Sequence, residues 1–108
     1  MTKRDLLPGT LDMLVLRTLS LGTLHGYAIA QHIERSSNEV FRLDQGSLYP
    51  ALVRLQAAGL VTSKLGKSTT GRRVRYYTIT ASGTKRLGTE ISDYDALMHP
   101  IAGVLGRA

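Results

Sequence analysis

The sequence predicts a mainly α fold with one small β-hairpin, an α+β domain of three short helices, a basic two-stranded wing and a long C-terminal helix. Three observations predict it. Apolar residues recur at helical spacing through residues 8–58. The period then becomes that of extended chain over Leu60–Leu65 and Val74–Thr80, on either side of a polar, glycine-flanked loop. From Ala81 onward the apolar residues return to a seam-like spacing. With 108 residues, 43% of them hydrophobic, the chain can bury one core and has no room for a second domain or a large cofactor fold.

The first helix is expected from about Pro8 to Leu21, on Leu11, Leu14, Val15 and Leu19. Pro8 suits its first turn, Thr10 is a candidate cap and Gly22 a stop. The second is expected from Gly26 to Ser36, with Tyr27, Ala30 and Ile33 on one face, Ile29 beside them, and Gln31, Glu34 and Arg35 towards water. Ser36-Ser37-Asn38 breaks it, and Val40–Leu43 is at best a short extended piece. The third runs from about Gln45 to Ala58, with Leu48, Leu52 and Leu55 inward and Gly59 as its stop. Asp44 and Ser47 are both candidate caps. Pro50 favours Ser47, because the proline would then fall in the first turn, where a missing N–H costs little.

In the hairpin, Gly66–Arg73 forms the loop. If Tyr77 and Ile79 face the core, alternation turns Tyr76 and Thr78 outward. Thr80 caps the last helix, which is expected from Ala81 towards Leu105. Leu87, Ile91, Tyr94, Met98, Ile101 and Leu105 follow alternating steps of four and three, a seam suited to a second copy of the chain. Folding back onto the chain's own core is the alternative. Pro100 should kink or loosen this helix near Ala96, and Gly103 and Gly106 should weaken its end. The boundaries expected are 1–80 for the helix-and-wing unit and 81–108 for the dimerisation helix.

Three helices followed by a hairpin make a winged helix-turn-helix, in which the third helix enters the major groove of DNA and the hairpin lies on phosphate or in the minor groove. The charge is placed accordingly. Lys and Arg total 14 against 8 Asp and Glu, for a net charge of +6. Lys64, Lys67, Arg72, Arg73, Arg75, Lys85 and Arg86 crowd one stretch, and no carboxylate lies between Asp44 and Glu90. One-sided charge of this kind points to an anionic partner, here double-stranded DNA.

The DNA-binding candidates follow from position. Gln45, Gly46, Ser47 and Tyr49 open the third helix, where free N–H groups and the helix dipole favour phosphate. Gln45 has the geometry to pair bidentately with adenine, and Ser47 either reaches a base or phosphate or simply caps its own helix. Tyr49 either sets its hydroxyl on phosphate or packs in the core. Arg54, one turn past Pro50, is placed to reach the phosphate backbone. Lys64, Lys67, Arg72, Arg73 and Arg75 decorate the wing, with Arg72 and Arg73 at its tip suited to a minor groove. Lys3 and Arg4 are candidates for a short basic arm.

Other classes are disfavoured. There is no Cys, so disulfides and thiolate metal sites are excluded. His25 and His32 lack an acid at ligand spacing, and His25 reads as a capping or packing residue, so neither metal nor cofactor is expected. No nucleophile elbow or glycine-rich phosphate loop is present, and no catalysis is expected. The basic, apolar start is interrupted by Asp5, Asp12 and Arg17, no cleavage site follows, and no apolar run approaches the ~18 residues of a membrane span. The expected location is the cytoplasm. A winged helix serving as a protein-interaction module would need an apolar or acidic recognition face, against which the acid-free stretch argues.

Several segments resemble the PadR family of bacterial transcriptional regulators. They are Pro8-Gly9-Thr10-Leu11, His25-Gly26-Tyr27, Gln45-Gly46-Ser47-Leu48-Tyr49-Pro50-Ala51-Leu52 with Arg54-Leu55, Ala58-Gly59-Leu60, and Arg75-Tyr76-Tyr77-Thr78-Ile79-Thr80 with Gly83. The likeness covers about residues 8–87. It implies a dimeric, ligand-responsive repressor of the short subfamily, joined through its C-terminal helix with the first helix contributing. Tyr94 stands near the position where many short members carry tryptophan at the dimer centre; this chain has no Trp. A seam aromatic there meets its symmetry mate and leaves flat apolar gaps, suited to a small aromatic or phenolic effector. A repressor with no effector is the alternative.

Overall fold

A computed structural model describes residues 8–107. Along the chain these form α1 (Pro8–Ser20), β1 (Leu24–His25), α2 (Gly26–Ser36), α3 (Gln45–Ala57), β2 (Val61–Lys67), β3 (Arg73–Ile79) and α4 (Ala81–Val104). The predicted order of helices and hairpin is present, with one addition. β1 makes the sheet three-stranded and antiparallel in the order β1-β3-β2. Two residues are too few to display a period. They become a strand only because Leu24 and His25 pair with Tyr77 and Tyr76 of the central strand. The candidate arm residues Lys3 and Arg4 lie outside the described residues.

The core is built by α1, α2, α3 and the sheet. Val15 and Leu16 of α1 are fully buried among Leu11, Leu19, Ile29, Ile33, Leu48, Ala51, Leu52, Leu55, Leu60, Val61 and Tyr77. Thr10 falls within α1 instead of capping it, because the helix begins at Pro8. Tyr27 does not share the inner face of α2: it is 68% exposed and accepts from Gln31 Nε2 at 3.1 Å. The reason is helical geometry. Ile29 and Ile33 set the buried side, and a residue two positions from Ile29 points nearly the opposite way.

Asp44, not Ser47, caps α3. Its backbone is extended and its Oδ1 accepts from the Ser47 N–H at 2.9 Å. Pro50 therefore sits in the second turn, where it has no N–H to offer the Gly46 carbonyl; the helix nevertheless continues to Ala57. At the far end Gly59 takes a φ of +75°, with Leu60 N–H donating to Leu55 O at 2.9 Å and Gly59 N–H to Gln56 O at 3.0 Å. This Schellman closure places buried Leu60 over buried Leu55 and turns the chain into β2.

Strand alternation in the wing follows expectation: Tyr77 is buried and Ile79 half-buried on the core face. The loop is shorter than the sequence suggests. β2 and β3 stay paired out to Lys67 and Arg73, leaving Ser68–Arg72 as the tip.

Thr80 caps α4 as predicted, accepting from Gly83 N–H at 3.0 Å. Gly83 is the close-approach point. A Cβ there would collide with the Leu60 carbonyl and lie 2.7 Å from Ile79 Cγ1. Pro100 does not interrupt the helix, which runs continuously past Ala96 and Pro100 to Val104. The bond it removes would have used the carbonyl of exposed Ala96, where water can serve instead. Nor does Gly106 merely fray the end. At φ +76° it closes a second Schellman motif, with Arg107 N–H on Ala102 O at 2.7 Å and Gly106 N–H on Gly103 O at 3.1 Å. The radius of gyration, 15.1 Å, exceeds the ~13 Å of a compact domain of this length, because α4 projects beyond the core.

Candidate nucleic-acid interface

α3 buries Leu48, Ala51, Leu52 and Leu55 and presents its other side to solvent, with the wing alongside. Gln45, Gly46, Ser47 and Tyr49 are all exposed at its front. Tyr49, 61% exposed, is a surface side chain and not a core one. It lies near Tyr77, whose phenol is pushed up from its ordinary value, first by burial and slightly by Tyr49, against a lowering influence of Arg75. The Asp44 cap changes the electrostatics of the helix start. The Ser47 N–H, expected to be available to phosphate, is held by the chain's own carboxylate.

Arg54 also has a different partner from the one expected. Its Nη2 is 2.9 Å from Asp12 Oδ1 of α1, with the Asp12 side chain only 20% exposed. No periodicity links positions 42 residues apart, so this α1–α3 tie is not visible in the sequence.

The wing is braced at three levels. Near its base, Ser63 Oγ donates to Gln56 Oε1 of α3 at 2.8 Å and receives Arg75 Nη1 at 3.0 Å. Strand register places Ser63 opposite Tyr77 and on the same face as Arg75, which is the signal that could have found this chain of bonds. Higher up, Tyr76 lies across Gly66, where a Cβ would come within 2.9 Å of its ring, and donates its hydroxyl to the Lys67 carbonyl at 2.7 Å. His25 supports Tyr76 from below in an edge-on contact at 5.6 Å, while its Nδ1 accepts from the Ala28 N–H at 3.3 Å and caps α2. Both roles expected of His25, capping and packing, are therefore filled. At the tip, Ser68 Oγ accepts from the Arg72 N–H at 3.2 Å and Gly71 adopts φ +83°. Arg72, Arg73, Lys64, Lys67 and Arg75 are all exposed. Among the described residues, no group of three or more His, Cys, Asp or Glu comes together as a metal site.

α4 divides in two. Leu87, expected in the seam, is buried in the chain's own core, and α4 packs on α1 at this end. Beyond it Ile91, Tyr94, Met98, Ile101 and Leu105 are exposed, joined by Leu97 and by Val104 at 90%. No helix among the described residues is long and apolar enough to cross a membrane.

A recognition helix set on a three-helix core beside a basic, braced wing defines a DNA-binding winged helix. The chain belongs to the PadR-like family of transcriptional regulators, whose family model matches residues 15–89. That family is made up of transcription regulators, not enzymes. A transcriptional regulator from Clostridium thermocellum is 28% identical with a TM-score of 0.79, over 88% of this chain and 89% of that one. A PadR family regulator from Clostridium difficile is 26% identical with a TM-score of 0.77, over 90% of this chain and 99% of that one. A protein of Lysinibacillus sphaericus is 28% identical over 87% of this chain and 86% of its own length.

Proposed function

We propose that this regulator is a cytoplasmic homodimeric repressor that binds a pseudo-palindromic operator and responds to a small aromatic or phenolic effector. The observation that carries the dimer is the outer half of α4. An apolar stripe from Ile91 to Leu105 stands in water in a single chain, and a second copy is the natural cover for it. In that dimer each α3 enters a major groove, and Lys64, Lys67, Arg72, Arg73 and Arg75 lie along the backbone or, at the wing tip, in the minor groove. Gln45, Gly46, Ser47 and Tyr49 face the bases and phosphates. Arg54, steered by Asp12 through one nitrogen and 46% exposed, reaches the phosphate backbone with its remaining donors.

The effector site is assigned to the dimer centre near Tyr94. A ligand there loosens DNA only if it binds the non-operator spacing of the two heads more tightly. The test is selection of bound duplexes from a random library, followed by titration of the preferred duplex with and without a panel of planar phenolic compounds. A dimer on an inverted repeat, released by a compound in wild type but not in Tyr94→Ala, is the expected result. Release of the variant at wild-type ligand concentration would remove Tyr94 from the site.

A further inference from the structure

We infer that the outward ridge of α3 reads thymine 5-methyl groups, so that the half-site preferred by this chain is rich in A·T pairs; this rests on the DNA-binding reading above. Gly46, Pro50, Val53 and Ala57 recur on the side of α3 opposite its buried leucines, and all are exposed, Val53 at 50%. None has a polar side-chain atom, and Pro50 lacks even an N–H. Of the longer polar side chains that flank it, Gln56 accepts from Ser63 and Arg54 is held by Asp12, while Tyr49, 61% exposed, borders the ridge on the Gln56 side. The middle of the exposed side of α3 is therefore a row of bare backbone and short methyl and methylene groups, with Tyr49 along one edge. The ridge spans the twelve residues from Gly46 to Ala57, or ~16 Å of helix.

The occupant is set by charge. The ridge lies beside an exposed wing of Lys64, Lys67, Arg72, Arg73 and Arg75, and no acid follows Asp44 before Glu90. A partner must be anionic at its edges and apolar at points on its floor. In the major groove of duplex DNA the apolar group on offer is the thymine methyl. Short side chains also let the helix approach closely, while Gln45 at the helix start can pair with the adenine edge.

The experiment uses the full chain and the duplex enriched from a random library, resynthesised with deoxyuridine for thymidine at single positions. Loss of one contacted methyl is expected to weaken binding about fourfold, the equivalent of ~0.8 kcal/mol for one buried methyl-sized group. Val53→Ala should weaken the thymidine duplex and remove most of that difference. Binding within about 1.5-fold at every substituted position, or enrichment of half-sites without A·T pairs, overturns the ridge while leaving sequence-specific DNA binding intact. Enrichment of no sequence overturns the DNA-reading function itself and leaves a protein surface as the occupant. The deoxyuridine series needs no variant, so the outcome does not hang on the folding of Val53→Ala.

Discussion

The face formed by α3 and the wing and the outer half of α4 are both left open by the fold, and they are open in opposite chemical ways. The first is rimmed by cations and braced by side-chain bonds: Arg75 to Ser63 to Gln56, and Tyr76 to the Lys67 carbonyl. The second carries Ile91, Tyr94, Leu97, Met98, Ile101, Val104 and Leu105 with little besides helix to hold it. Cations set against phosphates release the counterions condensed there, a gain that shrinks as salt rises, so the first surface suits a polyanion. Removing apolar surface from water is favourable and nearly salt-independent, so the second suits a like surface. One chain thus carries two kinds of incompleteness, each naming its own class of partner.

The sharpest way to break this contrast is to put charge on the apolar side. Ile91→Glu with Met98→Glu should give particles with the 11.8 kDa mass of one chain by light scattering, where wild type is expected to give twice that. Affinity for a two-half-site duplex should fall by about 100-fold or more as the second head is lost. Wild type already monomeric at micromolar concentration would sink the assignment of the α4 stripe.

Next in size is the joint between the two regions. Gly83→Ala forces a methyl into the Leu60 carbonyl and should cost ~1–3 kcal/mol of stability, seen as a lowered Tm. An unchanged Tm would show that α4 can lift off the wing base freely.

Within the charged region, the wing tip and the helix start should differ in kind. Arg72→Ala with Arg73→Ala should weaken all duplexes alike and lower the salt slope by about 1 per lost phosphate contact. Gln45→Ala should instead relax preference at one base pair, by ~1–3 kcal/mol. Equal losses on preferred and random DNA for Gln45→Ala would deny it a base.

The smallest effect concerns Glu90, where α4 leaves α1. Burial raises its carboxyl above the ordinary 4.5, with Arg86 opposing and Asp12 and Asp93 adding. A raised carboxyl contributes stability that is full below the unfolded value and is lost as pH rises through the folded one. Tm measured from pH 4 to 7 should therefore fall less for Glu90→Gln than for wild type. Identical profiles would mean that Glu90 is as well solvated folded as unfolded.

Legibility in the sequence tracked the range of the interaction. Helices showed themselves because Leu48, Leu52 and Leu55 repeat within a few residues, and Thr80 because a cap acts on the next turn. β1 did not, since it exists only through partners some fifty positions away. The tie from Arg54 to Asp12 is hidden for the same reason, since nothing local announces a partner 42 positions away. Asp44 and Ser47 are both local candidates; the carboxylate wins because its charge suits the helix dipole, which outweighs the one hydrogen bond that Pro50 then forfeits. Leu87 fitted the seam by spacing, but a helix joining two regions must spend its first turns on the core before it can offer the rest.

Gly83 gives the molecule a gear ratio. The 24 residues of α4 make a rod of ~36 Å, clamped at one end where that glycine touches the carbonyl of Leu60 and the side chain of Ile79. A tilt of ~5° about the clamp carries the free end ~3 Å, close to the ~3.4 Å rise of one base pair. Run in reverse, several ångströms of travel at the free end become a few degrees of rotation at the foot of β2 and β3, where the wing is rooted.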